Sequence, residues 1–131
     1  MCLRRYLYIC CRRQHINFAF CALHSAFKLP EVIFMVKHMI IWKLKPEFDT
    51  AERKAEIKAA LEGLVGKIPG LISMNILTDG FDSSSGSLMM DSTFESDEAL
   101  KAYQTRPLHR EIAVNLVRPS VESRLSFDYD E

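Results

Sequence analysis

Cysteine is absent from most of this 131-residue chain. All four cysteines precede Met35: Cys2, Cys10, Cys11 and Cys21. Residues 35–131 can therefore form no disulfide and no cysteine-based zinc site, and we expect them to function in reducing, cytoplasmic surroundings. In the first part, the spacing of Cys10, Cys11, His15 and Cys21 matches no common metal site.

Long apolar runs are also missing. No stretch approaches the roughly 20 apolar residues of a membrane-spanning helix. Runs 6–11 and 16–23 are too short or too polar for the secretory signal, which needs about 7–15 uninterrupted apolar residues. We therefore expect no membrane partner.

The net charge is zero, but the two signs are unevenly distributed. Residues 1–34 carry five Lys or Arg against one acid, a net +4, and residues 35–131 carry twelve against sixteen, a net −4. The second part has no basic face, so nucleic acid is not expected as a partner. We interpret 1–34 as an N-terminal extension, either unstructured or read from a mis-called start. Its arginines also suit an organellar transit peptide, although it has only one serine. Residues 35–131 are long enough to bury one core.

The apolar pattern of residues 35–131 predicts the order βαββαβ. Strands are expected at 36–45, 71–78, 88–94 and 121–129, because apolar and polar residues alternate there. A first helix should begin at an N-cap at Asp49 and carry one buried stripe. The stripe contains six residues: Ile57, Ala60, Leu61, Leu64, Val65 and Ile68. A second helix should run from the cap at Ser96 to about Thr105, and Pro107 should open a further helical turn.

This order predicts an α+β, ferredoxin-like fold. Both helices would cover one face of a four-stranded antiparallel sheet and leave the other face bare. Met39 and Ile41 lie on the bare face and make it apolar. Because such a face is not normally left in water, we expect a symmetric homodimer.

Two side chains suited to proton transfer flank Pro107. Tyr103 and His109 would point to different sides of one continuous helix, since six residues turn it by about 600°. A break at Pro107 allows them to converge. His109 then becomes a candidate general base and Tyr103 a donor to a developing oxyanion. The alternative is structural: the pair hydrogen-bonds to itself or to backbone and fixes the helix break.

His38 is a weaker candidate. It shares a strand face with Val36, Ile40 and Trp42, where a lone histidine is more often a core residue than a ligand. With His109 it could line a cavity. Two histidines without a third ligand make no metal or haem site, so no metal is expected.

Four segments in register resemble the stress-responsive dimeric α/β-barrel (Dabb) domain. They are Met35-Val36-Lys37-His38 with Lys43-Leu44-Lys45, Phe94-Glu95-Ser96, Tyr103-x-x-x-Pro107-x-His109, and Phe127-Asp128-Tyr129. The resemblance implies a homodimer in which two sheets close face to face into an eight-stranded dimeric α/β barrel.

The resemblance also implies site residues. One family member, the plant polyketide cyclase olivetolic acid cyclase, performs an aldol cyclisation without a cofactor. Its catalytic tyrosine and histidine look equivalent to Tyr103 and His109, and its first-strand histidine to His38. Two positions depart from it, because Leu61 replaces a pocket tyrosine and Arg106 replaces a histidine. No cofactor is implied.

The first functional hypothesis is that the protein binds a small apolar or aromatic molecule between sheet and helices. The predicted pocket walls are Ile57, Leu61, Leu64, Tyr103, His109 and Ile112. A second hypothesis is a cofactor-independent enzyme, cyclase-, isomerase- or monooxygenase-like, that uses the same pocket. A third is a structural or stress-protective dimer without a ligand.

Overall fold

A computed structural model describes residues 34–131, so the interpretation of the N-terminal extension falls, apart from Phe34, outside the described residues. The four strands are β1 (Val36–Leu44), β2 (Leu71–Leu77), β3 (Leu88–Phe94) and β4 (Val121–Asp130). The helices are α1 (Ala51–Glu62), α2 (Asp97–Thr105), α3 (Pro107–Ile112) and α4 (Arg118–Ser120), with a π-helical segment at Ala113–Val117 and a 3₁₀ turn at Pro46–Phe48. The predicted order of strands and main helices is confirmed.

The strands form one antiparallel sheet in the order β2-β3-β1-β4. β1 lies inside the sheet, and its residues from Val36 to Trp42 have partners on both neighbouring strands. His38 lies between Ser92 and Asp128, and Ile41 lies between Met89 and Leu125. This register assigns every side chain of the sheet to one of two faces.

The inner face carries His38 and the buried apolar residues of β1, and it packs under the helices. The alternate residues Val36, Ile40, Trp42 and Leu44 are all buried. From the helical layer, Ile57 and Leu61 of α1 and Leu100 and Tyr103 of α2 complete the core. The ferredoxin-like arrangement, with helices on a single face of the sheet, follows from this alternation.

The start of α1 differs from the prediction. Thr50, not Asp49, is the N-cap, and its hydroxyl accepts a hydrogen bond from the Arg53 amide at 3.2 Å. Asp49 instead pairs with Lys54 at 2.8 Å and accepts a hydrogen bond from the Ser87 hydroxyl. A threonine cap provides about 1 kcal/mol of helix stability, so either residue type would serve. The local sequence Asp-Thr does not distinguish them.

The end of α1 is also earlier than the predicted stripe. Regular helix ends at Glu62, and Leu64 and Ile68 are buried from the turns that follow. Val65 is exposed, because the chain has left the helix and no longer places that position on the buried side. After the helix, Gly66 and Gly70 have φ near +80°, a conformation that favours glycine and turns the chain toward β2.

Side chains of α1 occupy the free edge of β2. The Glu62 carboxylate accepts a hydrogen bond from the Ile76 amide at 2.9 Å, and Lys58 donates to the Ile76 carbonyl at 2.6 Å. Burial alone would raise the pKa of Glu62, but the Ile76 amide and Lys58 bring it below its usual value. The edge strand therefore has fewer free groups to offer another strand.

The outer face, opposite the helices, is apolar and uncovered in the single chain. It carries Met39 and Ile41 from β1, Met89 from β3 and Leu125 and Phe127 from β4. Leu125 is 72% exposed and Phe127 69% exposed, and the two lie opposite Ile41 and Met39. The apolar side of β4 thus faces away from the helical layer and extends the bare face.

None of the helices among residues 34–131 combines the length and the apolar character that crossing a bilayer requires.

Candidate functional site

A cavity of about 480 Å³ lies between the inner face of the sheet and the helical layer, at the ends of α1 and α2 and the helical segments that follow α2. Its volume is within the range of about 300–1,000 Å³ that is usual for small-molecule sites. The apolar lining residues are Ile40, Trp42, Leu61, Met90, Ala113 and Val117. The polar lining residues are His38, Tyr103, Gln104, His109, Arg118, Arg124, Ser126 and Asp128.

Tyr103 and His109 meet in the wall of this cavity. Their ring centroids are 4.1 Å apart and their planes are inclined by 35°. The helix break makes this contact possible: Arg106 is extended, with φ −62° and ψ 133°, and Pro107 begins α3 in a new direction. Tyr103 is 2% exposed and also packs on Phe94, with 5.0 Å between centroids. The two rings therefore have fixed positions.

The imidazole of His109 has a buried nitrogen without a hydrogen-bond partner within residues 34–131 and a lowered pKa. Its Nδ1 is buried and has no hydrogen-bond partner among the described residues. Burial lowers the pKa of His109, the Gln104 backbone offsets part of that effect, and the electrostatic effects of His38, Arg118 and Arg124 lower the pKa a little further. The neutral ring is thus favoured near neutral pH, and it retains an unused polar atom.

Tyr103 is perturbed in the opposite direction. Burial raises the pKa of its phenol far above the usual value, and Arg124 offsets only a small part of the rise. The phenol therefore remains protonated at any physiological pH. It can donate a hydrogen bond, but it cannot act as a base.

His38 lies on the inner face of β1 and is 2% exposed. Its Nδ1 pairs with Oδ1 of Asp128 on the neighbouring strand β4. Since a carboxylate accepts, Nδ1 carries the proton, and in the neutral ring Nε2 is left as an acceptor. The ring also stands edge-on to Phe94, at 6.3 Å between centroids. Phe94 thus links His38 to the Tyr103–His109 pair.

The predicted pocket walls fall into two groups. Leu61, Tyr103 and His109 line the cavity. Ile57 and Leu64 lie in the core, and Ile112 packs against that core, so these three are beside the cavity without lining it. The role of all six in holding a ligand stays a prediction.

The structure adds polar residues that sequence reasoning missed. Arg124, Ser126 and Asp128 are alternate residues of β4, opposite Trp42, Ile40 and His38 of β1. Alternation alone shows that these three residues share a face. Which face packs under the helices depends on the register with β1, and the sequence of β4 does not contain that register. Within residues 34–131, no three His, Cys, Asp or Glu side chains cluster closely enough to hold a metal ion.

Comparison with known proteins identifies the domain. The sequence model of the Stress responsive A/B Barrel Domain (Dabb) family matches residues 36–131. No curated protein sequence matches the chain.

Solved structures with the same fold are numerous. The Arabidopsis thaliana protein At3g17210 is 26% identical over 73% of this chain and 94% of its own, with a TM-score of 0.65. A dimeric ferredoxin-like protein of unknown function from Jannaschia sp. is 26% identical over 74% of this chain and 99% of its own, with a TM-score of 0.61. Hydroxynitrile lyase from Passiflora edulis shares the fold, with a TM-score of 0.66 and 18% identity over 76% of this chain and 94% of its own.

Proposed function

Because the chain belongs to the stress-responsive A/B barrel (Dabb) family, we propose that its function is to bind a small molecule with an apolar or aromatic body in the cavity between sheet and helices. The observation that carries this proposal is the cavity itself, which has an apolar side, including Trp42 and Leu61, and converging polar groups opposite. Concave sites of this composition are typical of small-molecule binding. The fixed rings of Tyr103 and His109 would give an aromatic ligand a flat surface to pack on.

We further propose that the functional unit is a homodimer joined through the outer faces. Ile41, Leu125 and Phe127 form a continuous apolar surface that a single chain leaves in water. A second copy would cover it symmetrically. The Jannaschia protein of the same fold is described as dimeric, which supports this assembly. The cavity is on the opposite face of the sheet and would stay open to ligand.

The binding proposal is tested by finding what the protein carries. Native mass spectrometry of the purified full chain should detect a bound small molecule. Ala113→Phe places a ring in the cavity, because Ala113 lines it, and should abolish that species. Ala102→Phe changes an exposed residue of α2 that does not line the cavity and should retain it. A molecule that is retained by Ala113→Phe would refute this location of the site.

A second candidate function is proton transfer catalysed by the same site. The buried Nδ1 of His109, without a hydrogen-bond partner among residues 34–131, favours it, since a purely structural histidine would normally have its buried nitrogen satisfied. In this scheme, neutral His109 removes a proton from carbon next to a carbonyl, and the protonated Tyr103 phenol donates to the enolate oxygen. A general base in this role contributes about 10²–10⁴-fold in rate.

Exchange of deuterium into a carbon acid tests this second candidate directly. 4-Phenyl-2-butanone has an aromatic body and acidic protons beside its carbonyl, and NMR in D₂O follows their exchange. We expect the protein to accelerate exchange, His109→Asn to remove about 10²-fold of the acceleration, and Tyr103→Phe to reduce it. Exchange that is catalysed equally by His109→Asn would exclude the imidazole as the base.

A further inference from the structure

Two arginines line the cavity without ion-pair partners. Neither Arg118 nor Arg124 has a carboxylate within salt-bridge distance among residues 34–131, and within that range the Arg124 guanidinium makes one long hydrogen bond, of 3.5 Å, to the Ser126 hydroxyl. Arg106 and Arg110 also have no ion pair among the described residues, so what distinguishes Arg118 and Arg124 is that they line the cavity.

The position of the arginines gives the cavity two chemically different ends. Arg118 and Arg124 are exposed residues, whereas Trp42 and Tyr103 in the same lining are buried. The cavity thus has an apolar, aromatic interior and a cationic rim. His109 lines the same cavity, and the charges of Arg118 and Arg124 each lower its pKa to a small extent.

The charges of the cavity lining indicate the charge of a ligand that would fit it. Asp128 is the one acidic residue of the lining, and it is engaged by His38. Two guanidiniums against one carboxylate leave a surplus of one positive charge. A single carboxylate neutralises that surplus, and the planar donor fork of arginine matches carboxylate geometry.

Resting on the proposed binding function, we propose that the cavity selects a monocarboxylic acid with an aromatic or aliphatic body, whose carboxylate is held at the rim by Arg118 and Arg124. The apolar body would lie along Trp42 and Leu61 toward the Tyr103 ring. Arg118 and Arg124 are in this reading specificity residues, which distinguish an acid from its neutral analogues.

Matched acids and amides separate this inference from the binding function itself. The probes are phenylalkanoic acids with side chains from acetate to hexanoate, each compared with its amide, in calorimetric titrations of the full chain. For the best-fitting length, we expect the acid to bind at least about tenfold more tightly than the amide, since hydrogen bonds between charged groups exceed neutral ones. Arg118→Gln and Arg124→Gln should each weaken binding of the acid more than binding of the amide, so that the preference falls several-fold. Arg110→Gln, an exposed arginine outside the lining, is the control and should retain the full preference.

The outcomes are distinct. Loss of acid preference in the two rim variants but not in Arg110→Gln supports the inference. Equal affinity for acid and amide in the native chain, or a preference that survives both rim variants, overturns it and leaves the binding function standing. Failure of acids and amides alike to bind at any length overturns both.

Discussion

Replacing Ile41 by Asp should dissociate the proposed homodimer without unfolding the chain. Ile41 is at the centre of the outer face, on the central strand between Met89 and Leu125, and is 43% exposed in the single chain. In a monomer, the new carboxylate would point into water. In the proposed dimer it would be enclosed by apolar side chains of both copies, and its neighbours across the sheet, Met89 and Leu125, offer no cation.

The size of the effect follows from the symmetry of the interface. An uncompensated buried charge costs about 3–5 kcal/mol, and a two-fold interface contains the substitution twice, so dissociation is favoured by about 6–10 kcal/mol. At 1.4 kcal/mol per decade, the dissociation constant rises by about 10⁴–10⁷-fold. Even a nanomolar dimer would then be monomeric at micromolar concentration.

Sedimentation velocity of the full chain measures this directly. The native protein should sediment at twice the monomer mass, and Ile41→Asp should sediment as a monomer with an unchanged far-ultraviolet circular dichroism spectrum. Leu108→Asp is the matched control, because Leu108 is similarly exposed, at 48%, but lies in the first turn of α3 on the helical side. A native monomer, or dissociation caused equally by Leu108→Asp, would refute the proposed interface.

Three further predictions concern stability. A truncated chain of residues 35–131 should keep the thermal midpoint of the full chain, because charge and cysteine content both change at that boundary. A midpoint lower by several degrees would contradict the interpretation of residues 1–34 as an extension that the domain does not need. The pKa of His109 is lower in the folded chain than its ordinary value, so as the pH falls the unfolded chain takes up the proton first. The free energy of unfolding should therefore be constant above about pH 6.5 and decline as the pH falls from there through the folded pKa. In denaturant titrations at several pH values, His109→Asn should flatten that decline, and an unchanged pH slope would count against the burial of the imidazole. Gly70→Ala should cost more than the roughly 1–2 kcal/mol of a left-handed backbone alone, since its Cβ would come within 2.5 Å of that of Ala99, whereas Gly66→Ala meets nothing within 4 Å; equal losses in urea denaturation would show that the Ala99 contact is not tight.

The order of the secondary-structure elements and the contact between Tyr103 and His109 could be predicted from the sequence. The alternation in β1 and the buried positions Ile57 and Leu61 of α1 follow local periods, which can be read from the sequence alone. The convergence of the two rings was readable because one residue, Pro107, both ends a helix and begins another. The bare apolar face followed from the same alternation, in Met39 and Ile41.

Other features depend on pairing across the sheet and were not readable. The hydrogen bond between His38 and Asp128 joins residues far apart in sequence. Predicting it requires the register of β4 on β1. The same register places Arg124 in the cavity wall. From the sequence alone, an arginine on an edge strand is expected to be an ordinary solvated residue. The N-cap of α1 was misplaced by one residue for a different reason, because neighbouring Asp49 and Thr50 are both good caps.

The central claim, that the cavity beside Tyr103 and His109 holds a small molecule, is tested most directly through Trp42. It is the single tryptophan of the chain and lies in the cavity wall, so its fluorescence reports on that site alone. Titration of the full chain with amides of the phenylalkanoic series should give a saturable change in native protein and in Ala102→Phe, and none in Ala113→Phe. The absence of a saturable change with any member of the series, or one that persists in Ala113→Phe, would contradict the claim.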